Sequence, residues 1–322
     1  MRTISVFNQK GGVGKTTSVV NLAVALNYLD KKVLVIDIDP QANTTTGLGL
    51  DKYNIDKSLY ELFYASEDDK SEKLKEENKD NSQEEALQDE NNNEELIENV
   101  SEVDTDDSAD DLEESEDIEN HDKIKKESIN IEDYITKTQS GVDIIPSEAA
   151  LSGLEVELVE LDALERTRQL KNIIDLIDQD EYDFVLIDCP PSLGLLSINA
   201  LVASNSIIIP IQTEYYALEG VSELMNTYNM VKKQLNEDLE IEGVLLSMFD
   251  KRAVLSYEVV EEVKSYFKTN VFRVMIPRNP RLAEAPSHGL STIEYDSKSQ
   301  GSVAYIALAN EIIKNDQNRK DA

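Results

Sequence analysis

The run Lys10-Gly11-Gly12-Val13-Gly14-Lys15-Thr16-Thr17 constrains this chain more than any other stretch. It follows a short apolar segment, Thr3-Ile4-Ser5-Val6-Phe7, and opens a helical pattern from Thr17 to Leu29. A strand, a glycine-rich turn and a helix N-terminus together make the setting of a phosphate-binding loop. Glycines let successive backbone N–H groups face one phosphate with no Cβ in the way. The helix N-terminus adds unpaired N–H donors and a partial positive charge. In such a loop Lys15 reaches the β- and γ-phosphates, and the Thr16 hydroxyl completes the shell of a Mg2+ ion. Two features depart from the common form. Gln9 stands where the first glycine is usual, and a second lysine, Lys10, begins the loop.

Two further apolar runs end in acid. Lys32-Val33-Leu34-Val35-Ile36 leads into Asp37-Ile38-Asp39-Pro40-Gln41, and Asp183-Phe184-Val185-Leu186-Ile187 closes on Asp188. Short continuous apolar runs suit strands buried on both faces of a parallel sheet. Open α/β sheets bind ligands at the carboxyl ends of their strands. A carboxylate there sits close to the metal in phosphate-loop proteins. Asn43-Thr44-Thr45-Thr46-Gly47 reads as a polar loop suited to a switch.

The rest alternates in the same way. Val142 to Ser147 is a strand and turn, with Ser147 placed to cap a helix near Glu148. Leu158 to Gln179, Tyr215 to Gln234, Val254 to Phe267 and Ser302 to Lys314 carry helical patterns. Asn205 to Ile211, Ile241 to Phe249 and Val271 to Ile276 read as strands. This alternation predicts a doubly wound α/β fold, a mostly parallel sheet with helices on both faces. Cys189 reads as a small buried filler, since no histidine lies near it in sequence. His288 with Gly289 reads as a helix-to-loop junction.

The net charge of −34 is unevenly spread. Ser66 to Ser128 holds 27 Asp or Glu against 7 Lys and has no aromatic residue, Gly or Pro. Such a stretch buries too little apolar surface to offset its ordering entropy, so disorder is expected. It reads as a tolerated insertion in a surface loop. An acidic tether that repels DNA or recruits a basic partner is the other reading. The one cysteine excludes an internal disulfide and a two-cysteine metal site in one chain. No apolar run reaches the ~20 residues of a membrane span, and the start shows no signal-peptide pattern, so a cytoplasmic location is expected.

These motifs together resemble the ParA/Soj family of chromosome and plasmid partitioning ATPases, the deviant Walker A group marked by the extra lysine. Ile211-Gln212-Thr213-Glu214-Tyr215-Tyr216-Ala217-Leu218-Glu219-Gly220 agrees with that family, as does Ile276-Pro277-Arg278-Asn279 through Glu284-Ala285-Pro286-Ser287-His288-Gly289. The resemblance spans residues 1–322 as one ATPase domain, interrupted by the acidic insertion 66–128. It implies ATP and Mg2+ as cofactors, with Gly11, Gly12, Val13, Gly14, Lys15, Thr16 and Thr17 around the phosphates. Lys10 would reach the partner subunit's phosphates across a nucleotide-sandwich homodimer. Asp39 would orient the attacking water and, with Thr16 and Asp188, lie at the Mg2+ ion, partly through water. Pro277 and Asn279 would flank the adenine. Arg252 and Arg281 match arginines that bind DNA without sequence preference. The implied partners are nucleoid DNA and a ParB/Spo0J-type centromere-binding protein. A membrane-surface switch of the MinD type is the rival reading. It needs a basic amphipathic C-terminal helix, whereas the tail from Lys314 is polar and mixed in charge. An iron-protein reductase of the nitrogenase type needs cluster cysteines that this chain lacks.

Overall fold

The computed structural model describes residues 1–64 and 129–321. The expectation of disorder for 66–128 falls outside the described residues. In chain order the elements are β1 (Arg2–Val6), α1 (Lys15–Tyr28), β2 (Val33–Asp37), α2 (Asn43–Gly47) and a helical run α3 over 59–64. From residue 129 onward come β3 (Thr136–Lys137), β4 (Asp143–Ile145), α4 (Leu151–Glu157), α5 (Gln169–Ile174), β5 (Phe184–Asp188) and α6 (Leu195–Ala203). The chain ends with β6 (Ser206–Gln212), α7 (Val221–Gln234), β7 (Glu240–Ser247), α8 (Val254–Phe267), α9 (Pro280–Glu284), α10 (Thr292–Tyr295) and α11 (Gln300–Lys320).

The strands form one sheet in the order β3-β4-β2-β5-β1-β6-β7. Every pairing is parallel except the edge pair β3–β4. The side chains of β1 show why helices cover both faces. Ile4 and Val6 join an apolar cluster with Leu22 and Leu26 of α1 and Leu308 and Ile312 of α11. Between them Ser5 points the other way, and its hydroxyl donates to the Ala200 carbonyl of α6 at 3.1 Å. β2 and β5 are buried along their whole length, as continuous apolar runs in a covered parallel sheet must be.

Register places the functional end. Val6 pairs with Asp188, and Asp188 with Asp37. Three adjacent strands therefore finish level, and the segments leaving β1, β2 and β5 start side by side.

The structure corrects several expected elements. Leu158 to Gln179 is not one helix. Leu161 is extended, and helical structure resumes only over Glu165–Thr167 and Gln169–Ile174. The Asn199 side chain bridges the break: it accepts from Leu170 N at 3.1 Å and donates to Arg166 O at 2.8 Å. Those bonds satisfy groups that a continuous helix would have satisfied itself. The Tyr215 to Gln234 helix begins only at Val221, because Gly220 precedes it with φ 80. Residues 215–220 are turns. Val271 to Ile276 is not a strand. Its ends bond to β7, but the Arg273 and Val274 amides donate to the Glu311 carboxylate of α11. The polar run from Asn43 is the helix α2 rather than a loop. Ser147 caps nothing; its hydroxyl donates to the Asp39 carbonyl at 2.6 Å.

One close approach gives a stability test. A Cβ on Gly243 of β7 would lie 2.6 Å from the buried ring of Phe272. Gly243→Ala is expected to cost about 1–3 kcal/mol through overpacking, read as a lower urea midpoint. An unchanged midpoint would mean that the ring gives way freely.

Candidate active site

The loop after β1 turns on two glycines with left-handed backbone, Gly12 at φ 75 and Gly14 at φ 95. Side chains there would be strained. Gly14 also precedes α1, whose first bond runs from Ser18 N to Gly14 O at 2.9 Å. A Cβ built on Gly11 or Gly12 would meet nothing within 4 Å, so open space lies over the loop where a phosphate would rest. Val13 is buried, and its carbonyl accepts from Ser247 Oγ at 2.8 Å, which ties the loop to the end of β7.

The two lysines point to different places. Lys15 folds back over the loop, its ammonium donating to the Lys10 carbonyl at 3.2 Å. Burial pulls its pKa below the ordinary lysine range, opposed by Asp188, Cys189 and Asp39. Lys10 leaves the loop altogether. Its backbone N–H donates to Asn8 Oδ1 at 2.9 Å, and its ammonium pairs with Glu214 at 2.7 Å, half-exposed.

The acids form a tight cluster behind the loop. Asp188 Oδ2 accepts from Thr16 Oγ1 at 2.8 Å and from Thr44 Oγ1 at 2.7 Å. Asp188 Oδ1 is buried with no hydrogen-bond partner. Asp37 Oδ2 accepts from both the N–H and the hydroxyl of Thr45 at 2.8 Å. Asp37 Oδ1 accepts from Asp39 N at 3.2 Å. Burial, reinforced by Asp188, pushes the Asp37 carboxyl above the usual carboxylate range. Burial raises Asp188 too, opposed by its two threonine donors and Lys15. Asp39 itself accepts from Gln41 N at 3.0 Å and is held from behind by Ser147.

The residues present fit a magnesium–nucleotide pair. Mg2+ is usually held by one or two protein groups together with phosphate oxygens and waters. The Thr16 hydroxyl lies on Asp188, whose second oxygen is unpaired, and the glycine cradle is open. Beside the loop lies a cavity of about 340 Å3 lined by Gly14, Thr17, Ile276, Pro277, Asn279 and Leu282, among others. Its largely apolar wall suits the flat face of a base. Pro277 and Asn279 thus line a cavity shared with Gly14 and Thr17 of the loop. Cys189 is fully buried, and burial pushes its thiol above the ordinary range, so it offers no thiolate. His288 stacks on Tyr295 at 5.0 Å, with Gly289 ending its turn at φ 65.

Comparison with known proteins decides the family. A family model described as an AAA domain matches residues 1–241. The sporulation initiation inhibitor protein Soj of Bacillus subtilis is 41% identical over 314 residues, covering 98% of this chain and 99% of that protein. The chromosome-partitioning ATPase Soj of Treponema pallidum is 36% identical over 318 residues, covering 99% of each. The chain belongs to the ParA/Soj family of partitioning ATPases. Among solved structures, cobyrinic acid a,c-diamide synthase from Mycobacterium smegmatis with bound ADP and magnesium aligns with TM-score 0.70 and 26% identity. That alignment covers 98% of this chain and 96% of that one.

In this ParA/Soj chain the two arginines matched to DNA binding sit on paired segments. Phe249 bridges Pro277, which sets Asp250–Arg252 beside Arg278–Arg281. Both arginines are ion-paired in the free subunit. Arg252 makes a two-point contact with Asp250 at 2.9 and 2.8 Å, and Arg281 pairs with Glu284 at 2.6 Å. Asn279 accepts from Arg281 N at 2.9 Å, so one residue belongs both to the cavity wall and to the start of the Arg281 helix.

Sequence reasoning puts Asp37 at the acidic strand end and Thr44 in a polar switch loop without naming a contact for either, and assigns no site role to Ser147 or Glu214. Thr44 and Asp37 carry a signal, since both lie at or just past the end of an apolar strand. Ser147 and Glu214 carry none, because each contact spans more than a hundred residues of chain.

Proposed function

We propose that the chain is one ATPase domain, carrying the acidic insertion, that dimerises on ATP, holds nucleoid DNA and lets go after hydrolysis. The observation that carries this reading is the level finish of β1, β2 and β5. It gathers the loop, Thr16, Asp39 and Asp188 at one end of the sheet. Lys15 and the loop N–H groups bind the phosphates. Thr16 and Asp188 would hold Mg2+, Asp188 acting through the threonine hydroxyl that it anchors. When bound, the ion neutralises charge on the phosphates. Asp39, pinned by Gln41 and Ser147, orients the attacking water. Lys10 crosses to the partner's phosphates and makes the dimer depend on ATP. The chemistry is phosphoryl transfer to water, driven by position and electrostatics. Hydrolysis is slow in the free dimer and is triggered by a DNA-bound ParB-type partner.

The membrane-switch alternative gains no support from α11. Tyr305, Leu308, Ala309 and Ile312 are buried, and Ile313 packs against the same core. Its last turn is tied down by Arg319 to Glu242 at 2.9 Å. Among the described residues no helix is long and apolar enough to cross a membrane.

Replacing both Arg252 and Arg281 with Ala is expected to abolish ATP-dependent retention on non-specific DNA while nucleotide binding persists. For every phosphate that the variant no longer neutralises, the salt slope falls by about one. Unchanged, salt-sensitive retention would place the DNA surface elsewhere. Robust ATP-dependent pelleting of the wild type with liposomes would favour the membrane reading.

A further inference from the structure

The Lys10 ammonium is not waiting free for a partner. It sits on Glu214 Oε1 at 2.7 Å, and the Tyr216 carbonyl lies at 3.5 Å. Both partners come from the turn that follows β6, far from the loop in sequence. The carboxylate is not an accident of a floppy surface. Glu214 N donates to Gln212 O at 2.9 Å, and Ala217 N donates to Glu214 O at 2.9 Å. The preceding Thr213 is bonded through its N–H and hydroxyl to the end of β7. The loop side is equally fixed. Asn8 Nδ2 donates to Pro210 O at 2.7 Å, while its Oδ1 takes the Lys10 N–H. Glu214 is thus presented to Lys10 by the strand next to the loop, within one subunit.

We propose that Glu214 is a positioning residue that holds Lys10 in cis in the free subunit, so that dimerisation exchanges this carboxylate for the partner's terminal phosphate. This rests on the reading that Lys10 acts in trans. The ammonium has three donors, but its one flexible stem lays it on Glu214 of its own subunit, so reaching a partner's phosphate means leaving that carboxylate. Each subunit of a symmetric dimer must therefore release its own Lys10 before offering it. The apparent dimer constant is weakened by the fraction of free lysine in each of the two subunits. The pair is half-exposed, so each release is a modest, salt-screened penalty rather than a block. Two such penalties multiply. The pairing raises the level of ATP-bound subunit needed for assembly without touching the phosphates or the water.

The test is the dissociation constant of the ATP–Mg2+ dimer by sedimentation velocity, in an Asp39→Ala background so that turnover does not drain the dimer. Glu214→Gln keeps the size and the neutral hydrogen bond but removes the charge. It is expected to tighten the dimer roughly 2- to 30-fold at low salt, with the gain shrinking as salt rises. Glu214→Asp, retaining the carboxylate, is expected to stay closer to the parent than Glu214→Gln. With ADP, where no terminal phosphate awaits Lys10, Glu214→Gln is expected to leave the protein monomeric. An unchanged or weaker ATP dimer in Glu214→Gln would overturn the proposal. So would a salt-independent gain. The underlying reading fails separately: if Lys10→Ala still dimerises on ATP, Lys10 has no trans role and Glu214 restrains nothing.

Discussion

Lys10→Ala is expected to keep ATP on the single subunit and lose the ATP-dependent dimer. The two halves of this expectation rest on different groups. Within one subunit the proposed phosphate site is made of Lys15, the loop N–H groups and the start of α1, none of which depends on the Lys10 ammonium. That ammonium points out of the loop toward Glu214. A charge-assisted hydrogen bond contributes about 1.5–3 kcal/mol, and a two-fold dimer loses it twice. The dimer constant should weaken roughly 10²- to 10⁴-fold, beyond the working concentration of most light-scattering measurements. The Lys10 carbonyl accepts from Lys15, but Ala retains that carbonyl, so the loop keeps its internal bond. A dimer that persists in light scattering would refute the trans role.

Asp39→Ala is expected to give the opposite phenotype, a dimer that forms on ATP and stays. Asp39 is buried at the end of the β2 segment, and its backbone is clamped by Asp37 Oδ1 in front and Ser147 behind. Those clamps act on main-chain atoms and survive the substitution. Only the hydrogen bond from Gln41 N disappears, a turn bond of about 1 kcal/mol. Removing a group that positions the reacting water should lower turnover about 10²- to 10⁴-fold. Asp39→Asn separates structure from chemistry, because its amide oxygen can still accept from Gln41. If both variants are slow and both hold the dimer, the defect is chemical. Normal turnover in either would remove Asp39 from the water-positioning role.

The parts of the site legible in sequence are those set by local rules. Glycines at left-handed positions mark the loop, and apolar strands ending in acid mark Asp39 and Asp188. The continuous burial of β2 and β5 makes those strands readable without any partner. Pro277 and Asn279 are reached only through resemblance, since nothing in their own composition announces a base pocket. What sequence hides is held by long-range polar bonds. Thr44 reads as part of a switch loop because threonines are poor helix formers, yet its hydroxyl is pinned on Asp188 across 144 residues. The expected helix from Leu158 breaks for a similar reason. Its apolar spacing is helical, but Asn199 supplies bonds that let the chain break, and Val159 and Leu164 end up exposed. Arg252 and Arg281 enter only through resemblance, and each is already paired with a carboxylate. Under the proposed reading, DNA phosphates have to displace those carboxylates.

In the proposed dimer, Lys10 of each subunit completes the ATP site of the other. The most direct test compares Asp39→Ala with Asp39→Ala/Lys10→Ala by sedimentation velocity in saturating ATP and Mg2+, where hydrolysis no longer clouds the equilibrium. The account predicts a stable dimer for the first protein and a monomer with bound ATP for the second. A dimer of equal affinity in both would contradict it.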